Sequence, residues 1–404
     1  MSTASEPQAA RAEHPHLLAN YARAPLDFVR GEGCELIDAS GDRYLDFVAG
    51  IGVCALGHAH PAIAEAVAAQ ARTLVHCSNL YHHEPAGALA NELAELSGFE
   101  RVFFCNSGTE AIEAAIKLAR KHHFRSGSAR RTIVACEGGF HGRTLGALAA
   151  TANPAYREGF EPLPAGFAHV PFDDLAALEP ALDERVAAFL VEPVQGEGGV
   201  RPASAAYLAA ARRLCDERGI LLVFDEIQCG MGRSGRLFAF ERYGVRPDAV
   251  VLAKGLANGL PIGALLLDAH LARALQPGDH GTTFGGSPVP CAAARAHLAY
   301  RRTHDLDAHV EAVGATLVAG LAALAHDVPA LFGPPRGLGM LLGLPVREPF
   351  EAKVLANAAR DDERLLLATA AGNVLRVIPP LVLSQAQAHD GLTRLRRVAE
   401  TASR

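Results

Sequence analysis

Short apolar runs recur along the first two-thirds of the chain with helix-length segments between most of them: Val102–Cys105, Thr132–Cys136, Ala187–Val191, Ile220–Phe224, Ala249–Ala253 and Ala264–Leu267. Each is bounded by Gly, Pro or charge, as buried strands are, and strands alternating with helices predict a mostly parallel α/β sheet. The best-marked helix follows the first run. Ser107 can cap it, Glu110 stands three residues on, and Ile112, Ala115, Ile116 and Ala119 form one apolar face.

Both ends of the chain read differently. Gly33–Asp38 and Arg43–Phe47 flank Ser40-Gly41-Asp42 as a small hairpin. Beyond about residue 305 the chain turns helical, passes a strand near Met340–Leu344 and ends in a helix from about Gln385. The expected architecture is an α/β fold whose large domain, 59–305, holds a mostly parallel sheet flanked by helices. A smaller α+β domain is expected from the N-terminal segment 1–58 and the C-terminal segment 306–404.

Composition excludes more than it selects. Of 404 residues, 50% are hydrophobic and 20% charged, and the net charge of -6 is not gathered into a tail, so neither nucleic acid nor membrane is called for. The longest apolar stretches are strand-sized and broken, so no membrane span is expected. Met1–His16 has neither an apolar signal core nor a basic, acid-free transit composition, which makes a cytoplasmic location the expectation. The eight cysteines show no C-x-x-C spacing and are expected to be mostly reduced and buried.

The apolar runs also point to chemistry. Ile220–Phe224 stops at Asp225 and Ala249–Ala253 stops at Lys254. Open parallel sheets bind ligands beyond the carboxyl ends of their strands, so the two side chains are expected to face one ligand. A carboxylate for a ring nitrogen and an amine for an aldehyde are what pyridoxal phosphate needs. Ser107-Gly108-Thr109 offers free N–H groups at a helix N-terminus, where a phosphate could sit, whereas no G-x-x-x-x-G-K-[ST] is present. Gly230-Met231-Gly232-Arg233-Ser234-Gly235 matches G-x-G-x-x-G, the mark of a dinucleotide site and of a rival oxidoreductase reading. Asp225 and Glu226 intervene between strand and glycines, and Arg236–Tyr243 makes a poor helix, so a flexible turn is expected instead. His58-Ala59-His60 and His82-His83 lack partners at ligand spacing, and no metal is expected.

In order along the chain, Phe104-Cys105-Asn106-Ser107-Gly108-Thr109-Glu110, Phe140-His141-Gly142-Arg143-Thr144, Glu192-Pro193-Val194-Gln195-Gly196-Glu197-Gly198-Gly199, Asp225-Glu226-Ile227-Gln228, Lys254-Gly255 and Thr282-Thr283-Phe284-Gly285-Gly286 resemble the class III aminotransferases, pyridoxal-phosphate enzymes of fold type I. The resemblance covers most of the chain. It is strongest to the acetylornithine and ornithine aminotransferases, including Gly57-His58-Ala59-His60-Pro61 and Asn373-Val374-Leu375-Arg376.

The resemblance implies that Lys254 links covalently to pyridoxal 5'-phosphate and then moves the substrate proton, and that Asp225 keeps the ring nitrogen protonated. By the same resemblance Phe140 stacks on the ring and Gln228 reaches its phenolic oxygen. Ser107, Gly108 and Thr109 hold the phosphate, joined by Thr283 of a second subunit, which implies a homodimer with composite sites. Arg143 grips the substrate carboxylate far from the reacting amine. Arg376 grips the α-carboxylate of glutamate and rests on Glu197 otherwise, and Thr282 adds a weak contact.

The implied reaction moves the terminal amino group of N2-acetylornithine to 2-oxoglutarate, in arginine synthesis. The alternatives are ornithine, succinylornithine or 4-aminobutyrate as donor, or a non-catalytic binding protein on the same fold. Two positions depart from the family. Ile51 stands where ornithine-selective members carry a tyrosine, which favours an acylated donor, and Ser287 replaces the asparagine usual after Gly285-Gly286.

Overall fold

A computed structural model describes residues 16–403, so all of Met1–His16 except its last residue lies outside the described residues. The central sheet has seven strands, in the order Arg101–Cys105, Gly263–Leu267, Ala249–Leu252, Leu221–Asp225, Val186–Val191, Thr132–Cys136 and Phe167–Val170. Gly263–Leu267 runs antiparallel to both its neighbours and the other strands share one direction. Each predicted run lies within one residue of an observed strand. Phe167–Val170 is the addition, an edge strand too exposed for an apolar run to mark it. Val186–Val191 and Leu221–Asp225 are buried along their whole length, because helices cover both faces of the sheet.

The helix Gly108–Arg125 starts where expected. Ser107 Oγ accepts from the Glu110 N–H, Glu110 accepts from the Asn106 N–H, and Ile112, Ala115, Ile116 and Ala119 are buried.

The two ends of the chain meet. Glu35–Asp38 and Arg43–Asp46 form the expected hairpin, extended by Phe28–Glu32 on one edge and by Leu365–Leu366, in parallel, on the other. A second antiparallel sheet joins Arg336–Leu338, Leu341–Pro345, Val374–Val377 and Ala368–Ala370, and its Val374–Val377 strand carries Arg376. The last helix, Gln385–Ala402, is capped reciprocally by Ser384 and Gln387.

Two expectations need correction. Helix Leu306–Asp327 is long and apolar enough to cross a membrane by length and composition, contrary to the reading that no segment is. Its scattered alanines, valines and leucines sustain the hydropathy without a continuous leucine run, and Val310, Val313, Leu317, Leu321 and Leu324 pack into the core. The Gly230–Gly235 segment does make turns, yet it is a buried strap rather than a flexible one. Arg233 and Ser234 are buried, and Arg233 donates to the carbonyls of Met340 and Pro379.

Asp46 anchors the turn that leads to the site. Its Oδ1 accepts from the Val48 and Ala49 N–H groups and its Oδ2 lies 2.7 Å from His58 Nε2. Burial works against a charged His58, but the hydrogen bond and charge of Asp46, aided by Cys54, raise its pKa to about 9. A histidine whose folded pKa is raised stabilises fully below its unfolded value, about 6.5, and loses that contribution as pH climbs through the folded value. The protein is therefore expected to lose up to about 3 kcal/mol between pH 6 and 10, measured by urea denaturation, from this group. Asp46→Asn, which keeps an oxygen for the turn, should flatten that part of the profile.

Candidate active site

A cavity of about 350 Å³ opens at the carboxyl edge of the sheet. The strand order explains its contents. Asp225 ends one strand, Lys254 follows the parallel neighbour, Glu192 follows Val186–Val191, and the Asn106–Thr109 turn follows Arg101–Cys105. Because Gly263–Leu267 runs backwards, the Gly259–Ile262 segment before it also reaches this edge and lines the cavity.

Asp225 is buried, with Oδ1 accepting from the Ile227 N–H at 3.0 Å and Oδ2 lying 2.8 Å from His141 Nδ1. Burial alone would lower the His141 pKa, but the hydrogen bond and charge of Asp225, with Glu192 adding, raise it above the usual value. His141 thus donates to the Asp225 carboxylate. Its other nitrogen, Nε2, is buried with no partner. Glu192 accepts from the N–H groups of Phe140 and Gly196 at 2.8 and 3.0 Å. Burial and the charge of Asp225 push its pKa up to about 7, against the pull of His141 and those two N–H groups.

Lys254 has a left-handed backbone, φ 43°, a conformation that costs a non-glycine residue about 1–3 kcal/mol and that clusters at functional sites. Burial lowers the pKa of its amine; the charges of Glu197, Asp225 and Glu192 oppose this and Arg376 reinforces it. A larger neutral fraction makes the amine a better nucleophile and base.

The loop Phe140–Thr144 is held at Phe140, His141 and Thr144. Besides the Phe140 and His141 contacts, the His141 N–H donates to Thr151 Oγ1 at 2.9 Å, and the Thr144 hydroxyl donates to Glu113 at 2.6 Å. Gly142 adopts φ 140°, and a Cβ there would stand 2.2 Å from Thr109 Oγ1, so only glycine lets this loop lie against the helix N-terminus. The guanidinium of Arg143 is exposed at the rim, its Cζ 4.0 Å from the Tyr156 ring centroid and 5.4 Å from that of Phe140.

Ser107, Gly108, Thr109, Phe140, Arg143, Glu197, Asp225, Gln228 and Lys254 all line the one cavity. Arg376 lies behind it, 2% exposed, with Nη1 2.5 Å from Glu197 Oε1 and 3.3 Å from Gln228 Oε1, while its buried Nε finds no partner. Thr282 and Thr283 are outside. Thr282 accepts from Asn106, itself a lining residue, and Thr283 is an exposed residue that does not line the cavity. Ile51 is 42% exposed and also outside, although its near neighbour Val53 is a lining residue.

His141 and Glu192 are the lining residues that motif reading passes over as functional groups. Glu192 follows a buried apolar run, the same signal that marks Asp225. His141 offers no comparable signal, since nothing in its spacing reveals that the loop turns it onto Asp225.

The family model for class-III aminotransferases matches residues 18–399. An acetylornithine aminotransferase from Bradyrhizobium diazoefficiens is 47% identical over 390 residues, covering 96% of both chains. One from Methanocaldococcus jannaschii is 46% identical, covering 92% of this chain and 93% of that one. Among solved structures, the ornithine aminotransferase of Toxoplasma gondii superposes with a TM-score of 0.92 at 34% identity, covering 96% of this chain and 93% of its own. The acetylornithine aminotransferase of Elizabethkingia anophelis does so with a TM-score of 0.85 at 32% identity, covering 96% and 97%. This chain belongs to the class-III aminotransferases.

His141→Ala would leave Asp225 buried without its ionic partner. The expected cost is about 3 kcal/mol of folding stability, measured by urea denaturation. A change below about 1 kcal/mol, the size of an exposed pair, would show that the two do not form a buried ion pair.

Proposed function

We propose that this aminotransferase carries the terminal amino group of N2-acetyl-L-ornithine to 2-oxoglutarate, giving N-acetyl-L-glutamate 5-semialdehyde and L-glutamate, as a step of arginine biosynthesis in the cytoplasm. The observation that carries the reading is the pair of arginines. Arg143 lies at the rim over the Tyr156 ring with no carboxylate partner among the described residues, whereas Arg376 is neutralised by Glu197 beneath the same cavity. The two half-reactions bring substrates that place a carboxylate at different distances from one reacting carbon. An unmasked and a maskable guanidinium answer that need. The names of the similar proteins support the acylated donor, and Ile51 offers no hydroxyl to a free α-amino group.

The cavity residues fit pyridoxal 5'-phosphate, which when bound supplies an aldehyde that condenses with amines and a protonated ring that draws electrons. Ser107, Gly108 and Thr109 would hold the phosphate on the free N–H groups of an 18-residue helix. Asp225, paired with His141, would hold the proton on the ring nitrogen. Phe140 would supply a flat wall, and Gln228 would donate to the phenolic oxygen. Lys254 would anchor the aldehyde, and its amine would hold and move the proton at the substrate carbon. Glu197 would yield Arg376 when glutamate or 2-oxoglutarate arrives.

The working unit we propose is a homodimer, in which Thr283 completes the phosphate site of the other subunit and Thr282 adds a weak substrate contact. Leu74, Val75, Leu80, Tyr81 and Phe284 are exposed apolar residues on two loops that Asn79 joins, through hydrogen bonds to the carbonyls of Thr282 and Gly285 at 3.1 and 3.0 Å. An apolar surface of this kind favours a protein partner. We also propose that 59–305 acts as the cofactor domain, and 1–58 with 306–404 as the smaller one.

Kinetics with a panel of donors test the substrate: kcat/KM for acetylornithine should exceed that for ornithine, succinylornithine and 4-aminobutyrate by at least about 10-fold, or 1.4 kcal/mol. A preference for unacylated ornithine would overturn the assignment. Lys254→Ala should lower kcat by about 10³-fold or more, with the near-visible absorbance of the loaded enzyme altered. In Glu197→Gln, the unmasked Arg376 should lower KM for 2-oxoglutarate and raise it for acetylornithine. Steady-state measurement of both half-reactions reads this split, and equal movement of the two constants would refute the masking role.

A further inference from the structure

The two arginines at the cavity are held by opposite means. Arg376 is pinned by a carboxylate, Glu197, which also cancels its charge. Arg143 meets no carboxylate among the described residues, and its guanidinium lies instead over an aromatic ring, with Cζ 4.0 Å from the centroid of Tyr156. That is well inside the ~6 Å over which a cation is attracted to a ring face. Phe140 stands farther off, at 5.4 Å, and its own ring meets Tyr156 edge to face, with centroids 5.9 Å apart and planes at 87°. Tyr156 therefore contacts both the cation and the ring that walls the cavity.

The manner of holding matters for an anion. A guanidinium presents its five N–H donors in its own plane, and bidentate carboxylate recognition uses that edge. An acid that positions the group occupies the same edge, whereas a ring against the face leaves both edge and charge available. With neither, a long exposed side chain would have to be ordered each time a substrate bound, at an entropic cost. Tyr156 supplies that order beforehand.

The ring is itself fixed from the backbone. Pro154–Arg157 is a single helical turn, in which Asn153 Oδ1 accepts from the Ala155 N–H at 3.0 Å and the Asn153 carbonyl accepts from the Tyr156 N–H at 3.1 Å. Two residues earlier, buried Thr151 takes the His141 N–H on its hydroxyl. The segment that bears the ring and the loop that bears Arg143 are thus tied at one residue. Tyr156 and Asn153 also line a second cavity, of about 520 Å³, which shares Phe140 and Glu197 with the first. The stack stands where the two cavities adjoin.

We propose that Tyr156 is the positioning residue for Arg143, presenting its guanidinium edge to the carboxylate of the amino donor and so setting donor affinity, an inference that rests on the donor reading above. Its contribution belongs to the carboxylate alone. A donor that lacks this group gains nothing from the stack.

The test compares acetylornithine with N-acetylputrescine, which has the same acyl group and reacting amine but no carboxylate, on the cofactor-loaded enzyme with 2-oxoglutarate saturating. Tyr156→Leu should raise KM for acetylornithine about 5-fold, the equivalent of about 1 kcal/mol, with kcat within about 2-fold. For N-acetylputrescine kcat/KM should change less than about 2-fold, and Tyr156→Phe, which keeps the ring face, should restore the wild-type KM. Calorimetry with N-acetylnorvaline, which has the acyl group and carboxylate but no reacting amine, should show the same ~5-fold weakening without turnover. In an Arg143→Ala background, Tyr156→Leu should add nothing to the loss. Equal losses with both donors, failure of Tyr156→Phe to restore KM, or additive losses in the double variant would each overturn the proposal. If the donor panel favours ornithine, the pair ornithine and putrescine reads Tyr156 in the same way, so the two readings fail separately.

Discussion

The contact between Asp225 and His141 is the constraint on which the rest of the site depends. A carboxylate buried at the end of a fully buried strand is costly unless it is paired and hydrogen-bonded. Here the partner comes from the Phe140–Thr144 loop, so satisfying one charge also fixes the path of the loop that presents Phe140 and Arg143. That loop can reach the sheet edge only because Gly142 lies against Thr109, which ties it to the helix N-terminus as well. One electrostatic requirement thereby sets the relative positions of an acid, an aromatic wall, a cation and an anion cradle. Glu192 belongs to the same arrangement. Burial and the charge of Asp225 raise its pKa, and it spends both oxygens on backbone donors of the loops it joins.

Much of this is legible in the sequence, for identifiable reasons. Strands buried on both faces leave continuous apolar runs, and their ends are marked by the charges that follow, so Asp225 and Lys254 can be found without a structure. The rule extends to Glu192, where the run Ala187–Val191 stops. The helix start at Ser107 is legible because capping is a local interaction. His141 and the buried state of Arg376 are not, because each depends on partners brought from far along the chain. Thr282 and Thr283 mark another limit, since this chain's own cavity does not include them.

The smaller sheets are the least legible elements. Leu365–Leu366, Ala368–Ala370 and Arg336–Leu338 are two or three residues long, too short for alternation to register, and Val374–Val377 is recognisable mainly because it carries Arg376. Helix Leu306–Asp327 shows the reverse. Its hydropathy is plain, yet its meaning depends on which face is covered, and that is a tertiary fact.

The pairing of Leu45 with Leu365 has a consequence for how the molecule is made. The N-terminal hairpin leaves the ribosome early, but the strand that completes its sheet emerges only after nearly all of the chain. Contacts of such long range are slow to form, and an unpaired strand edge invites pairing with other chains in the meantime. Arg43, beside Glu32 and Glu35, places charge along that hairpin. The nascent hairpin must therefore wait with one edge open until the distant strand arrives to cover it.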